Sequence, residues 1–138
     1  MCLGACAYHP GSFARYGNSF DGQRVTAGCL DLGIARRRDI DPNTAVVSYE
    51  FGNRCPEPAI VDLARARVIG RTVDGQEVAL APYDPKQEVR ALELDGRTMG
   101  TEALAYPSEI ELVQLCVDAA SIAHRDGAQW ICFGGHRL

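Results

Sequence analysis

The chain has 138 residues, 46% of them hydrophobic, with 14 Lys and Arg against 18 Asp and Glu and a formal net charge of −4. That length corresponds to one domain able to bury about two-thirds of its unfolded surface, and the ordinary apolar content predicts a folded chain. The acidic balance excludes a nucleic-acid-binding face, which requires a basic patch, and no stretch reaches the ~18 apolar residues needed to span a bilayer as a helix. Arg36-Arg37-Arg38 is the only basic run, and Asp39 and Asp41 offset it at once. It reads as a solvated strand end and turn. Arginine outnumbers lysine 13 to 1, a codon-usage bias rather than a binding signature.

At the N-terminus, Leu3-Gly4-Ala5-Cys6 places an aliphatic residue and two small residues before a cysteine. This tetrapeptide resembles the lipobox of bacterial lipoproteins. The resemblance implies cleavage before Cys6 and a diacylglycerol on its thiol, and Ala7 after the lipidated cysteine implies outer-membrane sorting. Only five residues precede Cys6, fewer than a charged n-region and apolar h-region require. Met1 is therefore read as a late start inside a longer signal, or as the head of a trimmed chain. Ala7–Gln23 is rich in Gly, Ser, Asn and Pro without a sustained period, which makes residues 1–23 a signal remnant and tether. Its aromatics Tyr8, Phe13, Tyr16 and Phe20 suggest that the segment lies against the domain assigned to 24–138.

Cys29–Ala35 alternates with Leu30, Leu32 and Ile34 on one face, and Thr44–Phe51 alternates with Ala45, Val47, Tyr49 and Phe51 on one face. Period-two patterns rich in β-branched and aromatic residues predict half-buried strands. Gly52-Asn53 supplies residues that tolerate positive φ, and Pro56 and Pro58 delay any helix. Ala59–Leu63 is preferred as the next strand, with a helix from Pro58 as the rival reading. Ala66–Thr72 and Glu77–Ala81 flank Asp74-Gly75, a strong hairpin signal. Pro82–Pro85 is a loop, Val89–Leu94 and Thr101–Tyr106 are strands, and Asp95-Gly96 turns between them.

Ser108–Gly127 carries both periodicities. Ser108 and Glu111 form a capping-box pattern ahead of a helical face through Ile110, Val113, Val117, Ala120 and His124, yet Glu111–Val117 also alternates. The reading adopted is a strand over Ile110–Val117 followed by a short helical turn near Ala119–His124, with a last strand over Gln129–Phe133.

Setting Cys2 and Cys6 aside leaves four cysteines and three possible pairings. If the first two strands pair antiparallel across a turn at Arg37–Asn43, Cys29 comes near Cys55. Cys116 and Cys132 lie on the two C-terminal strands and form the second expected pair. Each bridge contributes about 3–4 kcal/mol in the chain-entropy account, and disulfides imply an oxidising compartment. The alternative is a zinc site from Cys116, His124, Cys132 and His136, whose spacing lacks the short knuckles of structural zinc sites. No cysteine has the CxxC spacing of a redox pair. Asp84 and Glu88 are a weak candidate pair for calcium. No phosphate-cradling loop, HExxH or GxSxG is present, so neither a cofactor nor a catalytic residue is expected.

Seven to nine short strands at 8–12-residue spacing, with one short helix near 118–125, predict an all-β antiparallel sandwich. The strand–Asn–turn–strand pattern VVSYEFGNRC-PEPAIVDL is similar to the opening of small immunoglobulin-like domains of exported bacterial proteins. The resemblance implies a fold and carries no functional residue across. The expectation is a non-enzymatic, lipid-anchored envelope protein that binds protein partners or serves as a structural module.

Overall fold

The computed structural model describes residues 6–8, 22–86 and 88–134. Among them lie eleven strands and one short helix, more strands than the seven to nine expected because several are only two to four residues long.

The longest hairpin is built from β3 (Leu30–Asp41) and β4 (Thr44–Asn53). It pairs in register from Leu30↔Asn53 to Arg37↔Val46 and then shifts before Asp41↔Thr44. The turn expected over Arg37–Asn43 is therefore tighter, leaving only Pro42 and Asn43 between the strands. Asn43 N–H donates to Asp41 Oδ1 at 2.8 Å, an Asx turn closing the tip. Around this hairpin, β2 (Gln23–Ala27) pairs with β3, and β9 (Thr98–Pro107) pairs with β4. β1 (Cys6–Ala7) pairs with the start of β9, giving a five-stranded antiparallel sheet ordered β1-β9-β4-β3-β2.

The second sheet follows the order β11-β10-β6-β7, with β6 at Val68–Arg71, β7 at Glu77–Leu80, β10 at Gln114–Asp118 and β11 at Trp130–Phe133. The β6–β7 hairpin turns at Asp74-Gly75 as predicted. A two-stranded ribbon of β5 (Ala59–Val61) and β8 (Leu92–Leu94) adds Val61 and Leu94 to the core. The strand expected over Val89–Leu94 thus keeps only its last three residues. α1 (Ala119–Ile122) follows β10 directly.

The alternation that predicted the strands is the alternation that fills the core. Leu32 and Ile34 of β3, Val47 and Tyr49 of β4 and Leu104 and Tyr106 of β9 meet Val68, Leu115, Val117 and Ile131 of the second sheet in one buried cluster. Two antiparallel sheets facing each other across such a core make an all-β sandwich.

Two local expectations fail for a shared reason. Gly52-Asn53 does not form a turn, and neither residue adopts positive φ. Asn53 is instead fully buried at the end of β4. Its Nδ2 donates to the carbonyls of Glu57, Leu94 and Asp95 at 2.7, 3.2 and 3.3 Å, and its Oδ1 accepts from Cys55 N–H at 3.0 Å. A buried amide that ties together two chain segments, Cys55–Glu57 and Leu94–Asp95, is worth more than the turn it would otherwise start. Likewise the Ser108–Glu111 pattern caps no helix. Ser108 Oγ accepts from Ile110 N–H at 3.1 Å and donates to Ile110 O at 2.7 Å, a local turn that delays the strand to Gln114.

Candidate functional site

Chemistry-bearing side chains gather at the end of the sandwich where β2 passes into β3 and β4 runs into Cys55. Cys29 and Cys55 are bonded there, with Cα atoms 5.5 Å apart. Arg54 N–H donates to Cys29 O at 2.8 Å and Arg97 N–H to Cys55 O at 3.0 Å, so the bridge staples two chain segments already held by backbone bonds. The second pair, Cys116–Cys132, joins residues directly opposite each other on β10 and β11. Both disulfides are those the strand pattern predicted.

Beside the first bridge the N-terminal segment is docked rather than loose. Tyr8 is 1% exposed, and its N–H donates to Arg97 O at 2.7 Å. Its ring lies flat on Gly52, where a Cβ would come within 2.4 Å of Tyr8 Cζ. Only glycine admits so close an approach. The Tyr8 hydroxyl donates to Asp31 Oδ2 at 2.5 Å, Thr26 Oγ1 donates to Asp31 Oδ1 at 2.8 Å, and Arg54 Nε lies 3.1 Å from the same oxygen. Burial, reinforced by the bond to Asp31, holds the Tyr8 phenol well above its ordinary pKa. The expectation that the segment lies against the domain thus holds at Tyr8, whereas Leu3, Gly4, Ala5, Phe13, Tyr16 and Phe20 lie outside the described residues.

Around α1 two carboxylates are taken out of solvent, Asp62 at 3% exposure and Asp118 at 0%. Asp118 is the N-cap. Its Oδ1 accepts from Ala120 N–H at 3.1 Å and Gln129 N–H at 2.8 Å, and its Oδ2 pairs with Arg67. The Arg67 guanidinium also sits 5.8 Å from the centroid of the partly exposed Trp130 ring, a cation–π distance. These contacts join the residue just before β6 to β10, α1 and β11 and have a structural role.

Asp62 is different because its partner reaches solvent. Its Oδ1 accepts from Arg65 N–H at 3.0 Å, and its Oδ2 lies 2.5 Å from His124 Nε2. The His124 side chain is 52% exposed. Arg125 N–H donates to Ala120 O at 2.9 Å and His124 N–H to Ser121 O at 3.3 Å, so His124 occupies the left-handed position that closes α1, with φ +55°. Glycine is the usual residue there; histidine tolerates it at some backbone cost. His124 and Arg125 form one wall of a shallow pocket of about 220 Å³ whose other wall is Gly28, Cys29 and Ile60.

The zinc alternative is corrected by these contacts. Cys116 and Cys132 are bonded to each other, which removes both thiolates, and His124 Nε2 is held by Asp62. His136 lies outside the described residues. Asp84 and Glu88 do line one cleft, shared with Glu102 and Arg90, but Asp84 Oδ1 is occupied by Lys86 N–H and Glu102 Oε1 by Ala103 N–H. Among the described residues no three His, Cys, Asp or Glu side chains converge as metal ligands do.

Sequence reasoning missed the Asp62–His124 pair and the Tyr8–Asp31–Arg54 cluster. Their members are 62, 23 and 46 residues apart in sequence, and no local pattern links them.

No protein-family profile matches the chain, and no curated protein matches it by sequence. Among solved structures, the YjhA protein of Bacillus subtilis is similar, with a TM-score of 0.52 and 12% sequence identity over 74% of this chain and 81% of that one. At that identity the likeness concerns the fold alone, and with the two facing sheets it establishes an all-β sandwich.

Proposed function

We propose that this chain is a non-enzymatic cell-envelope lipoprotein, anchored through Cys6 and serving as a protein-binding or structural module of a larger envelope assembly, facing the periplasm or the cell surface from the outer membrane. The observation that carries the reading is the pair of disulfides, Cys29–Cys55 and Cys116–Cys132. Bridges of this kind persist in oxidising compartments and are rare where thiols are kept reduced. The lipobox-like Leu3-Gly4-Ala5-Cys6 is an independent pointer to the same compartment.

The fold gives such an anchor a polarity. Cys6 pairs with Met99, at the end of the large sheet that holds Gly52 and Tyr8. A lipid on Cys6 would set that end against the membrane with almost no spacer, because Tyr8 is already buried two residues later. The β3–β4 tip lies at the opposite end, about 30 Å away for a ten-residue strand at ~3.3 Å per residue. There Ile40 is 69% exposed beside exposed Arg38, and this tip is the surface offered to a partner.

The test is expression of the full open frame in a bacterial host with Cys6→Ser as control. The expected result is membrane fractionation and a diacylglyceryl mass increment on the wild type, both lost in C6S. Equal solubility of the two proteins with no mass increment overturns the anchor. Photo-cross-linking from position 40 in intact envelopes then tests the partner. Monomer only, alongside turnover of a substrate by the purified domain, overturns the binding-module reading.

A further inference from the structure

The pocket beside α1 is built from features that the fold does not need. α1 requires only a residue that accepts the left-handed conformation at position 124, which glycine does without strain. The chain instead places there a histidine at φ +55°, with Nε2 on the buried Asp62. That bond fixes the ring and leaves Nδ1 as the nitrogen available to a ligand, the arrangement by which a carboxylate orients an imidazole for work on its other side. Across the pocket mouth, Gly28 has φ +62° and no side chain, so that Arg125 lies over it. A Cβ at Gly28 would be 3.1 Å from Arg125 Cδ. Among the described residues no carboxylate pairs with the Arg125 guanidinium.

The remaining lining is apolar: Ala27, Leu30, Ala59, Ile60 and Ala123. Ile60 is 39% exposed at its rim. One wall thus carries a guanidinium and an imidazole while the facing rim carries Ala59 and Ile60, the composition of a site for a small ligand with one polar end. A guanidinium presents a planar fork of N–H donors that matches a carboxylate. The volume of about 220 Å³ limits the apolar part to a short chain.

We propose that this pocket binds a small organic monocarboxylate, with the Arg125 guanidinium holding the carboxylate, the His124 ring walling that end, and Ile60 and Ala59 covering a short apolar body. The proposal goes beyond the envelope-module reading and does not depend on the anchor at Cys6, so either can fail alone.

The experiment is a two-dimensional amide NMR titration of the oxidised protein with sodium hexanoate, with hexan-1-ol and inorganic phosphate as probes lacking the charge or the chain. The expected result is saturable shifts at Gly28, Cys29, Ile60 and Ala123–Arg125 with hexanoate. Arg125→Gln should weaken it by roughly tenfold, the factor that 1.4 kcal/mol represents. His124→Asn, which keeps a residue tolerant of the left-handed backbone, should weaken it in the same direction while the rest of the spectrum is unchanged. Hexan-1-ol or phosphate binding as tightly as hexanoate overturns the proposal, as does an absence of saturable shifts at these residues. Equal hexanoate affinity in folded R125Q and H124N overturns it too.

Discussion

Tyr49 and Tyr106 share a hydrogen bond between their hydroxyls, 2.5 Å long, in the interior of the sandwich. Both side chains are 1% exposed or less, and each hydroxyl satisfies the other. Removing one oxygen leaves its partner buried and unpaired, which costs about 1–3 kcal/mol, whereas removing both can be nearly neutral. Tyr49→Phe and Tyr106→Phe are each expected to lower stability by about 1–3 kcal/mol and the double variant by less than the sum. Urea denaturation of the four proteins measures this. Strict additivity would show that the two hydroxyls do not depend on each other.

The same pair sets an upper pH limit. Burial raises the Tyr106 phenol to about 12, partly opposed by the hydrogen bond from Tyr49. Burial, then the proximity of the Tyr106 charge, raises Tyr49 well above its ordinary value. Above pH 10 the unfolded chain loses these protons while the folded chain keeps them, so the unfolded state is favoured increasingly as pH rises. The Tyr106 contribution is fully present below pH 10 and is lost between pH 10 and about 12. Absorbance at tyrosinate wavelengths should therefore show Tyr49 and Tyr106 ionising only together with loss of strand circular dichroism. Their ionisation near pH 10 in a folded protein would contradict this burial.

The disulfides close loops of 26 and 16 residues, and each is expected to contribute about 3 kcal/mol through the unfolded state. For a domain whose net stability is of order 5–15 kcal/mol, reduction of both should lower the urea midpoint by a large fraction. The paired variants Cys29→Ser/Cys55→Ser and Cys116→Ala/Cys132→Ala separate the two. Intact mass after alkylation without reductant should show none of these four thiols modified. A midpoint unchanged by reductant would remove the stapling role.

Gly52→Ala tests the docking of the N-terminal segment. The new methyl would overlap the Tyr8 ring, so Tyr8 must leave its place against Asp31 and Arg97. The expected loss is about 3 kcal/mol, in the range for deleting a buried aromatic contact, with faster amide exchange at Tyr8 and Arg97. Tyr8→Ala should lose a similar amount, and adding G52A to it should cost little more. A full additional loss would place the role of Gly52 elsewhere.

How much of this was legible in the chain depends on distance along it. Leu30-Leu32-Ile34 and Ala45-Val47-Tyr49-Phe51 each declare a strand and its inner face within seven residues, because the pleat repeats every two. The same patterns predicted the Cys29–Cys55 bridge, where two cysteines flank the open end of a hairpin, and the Cys116–Cys132 bridge, where the two lie on the C-terminal strands. Asn53 was misread as a turn residue because its three acceptors come from Glu57, Leu94 and Asp95, and two of those arrive from about forty residues away.

The sequence by itself therefore determined the sandwich, its core faces, its covalent staples and the short helix after β10, all written in local periodicity. The tertiary structure alone decided where the polar chemistry stands. Asp62 meets His124, Tyr8 meets Asp31 and Gly52, and Arg125 lies over Gly28. These pairings follow from how the sheets stack and which loops share an end, a geometry that no spacing of residues encodes.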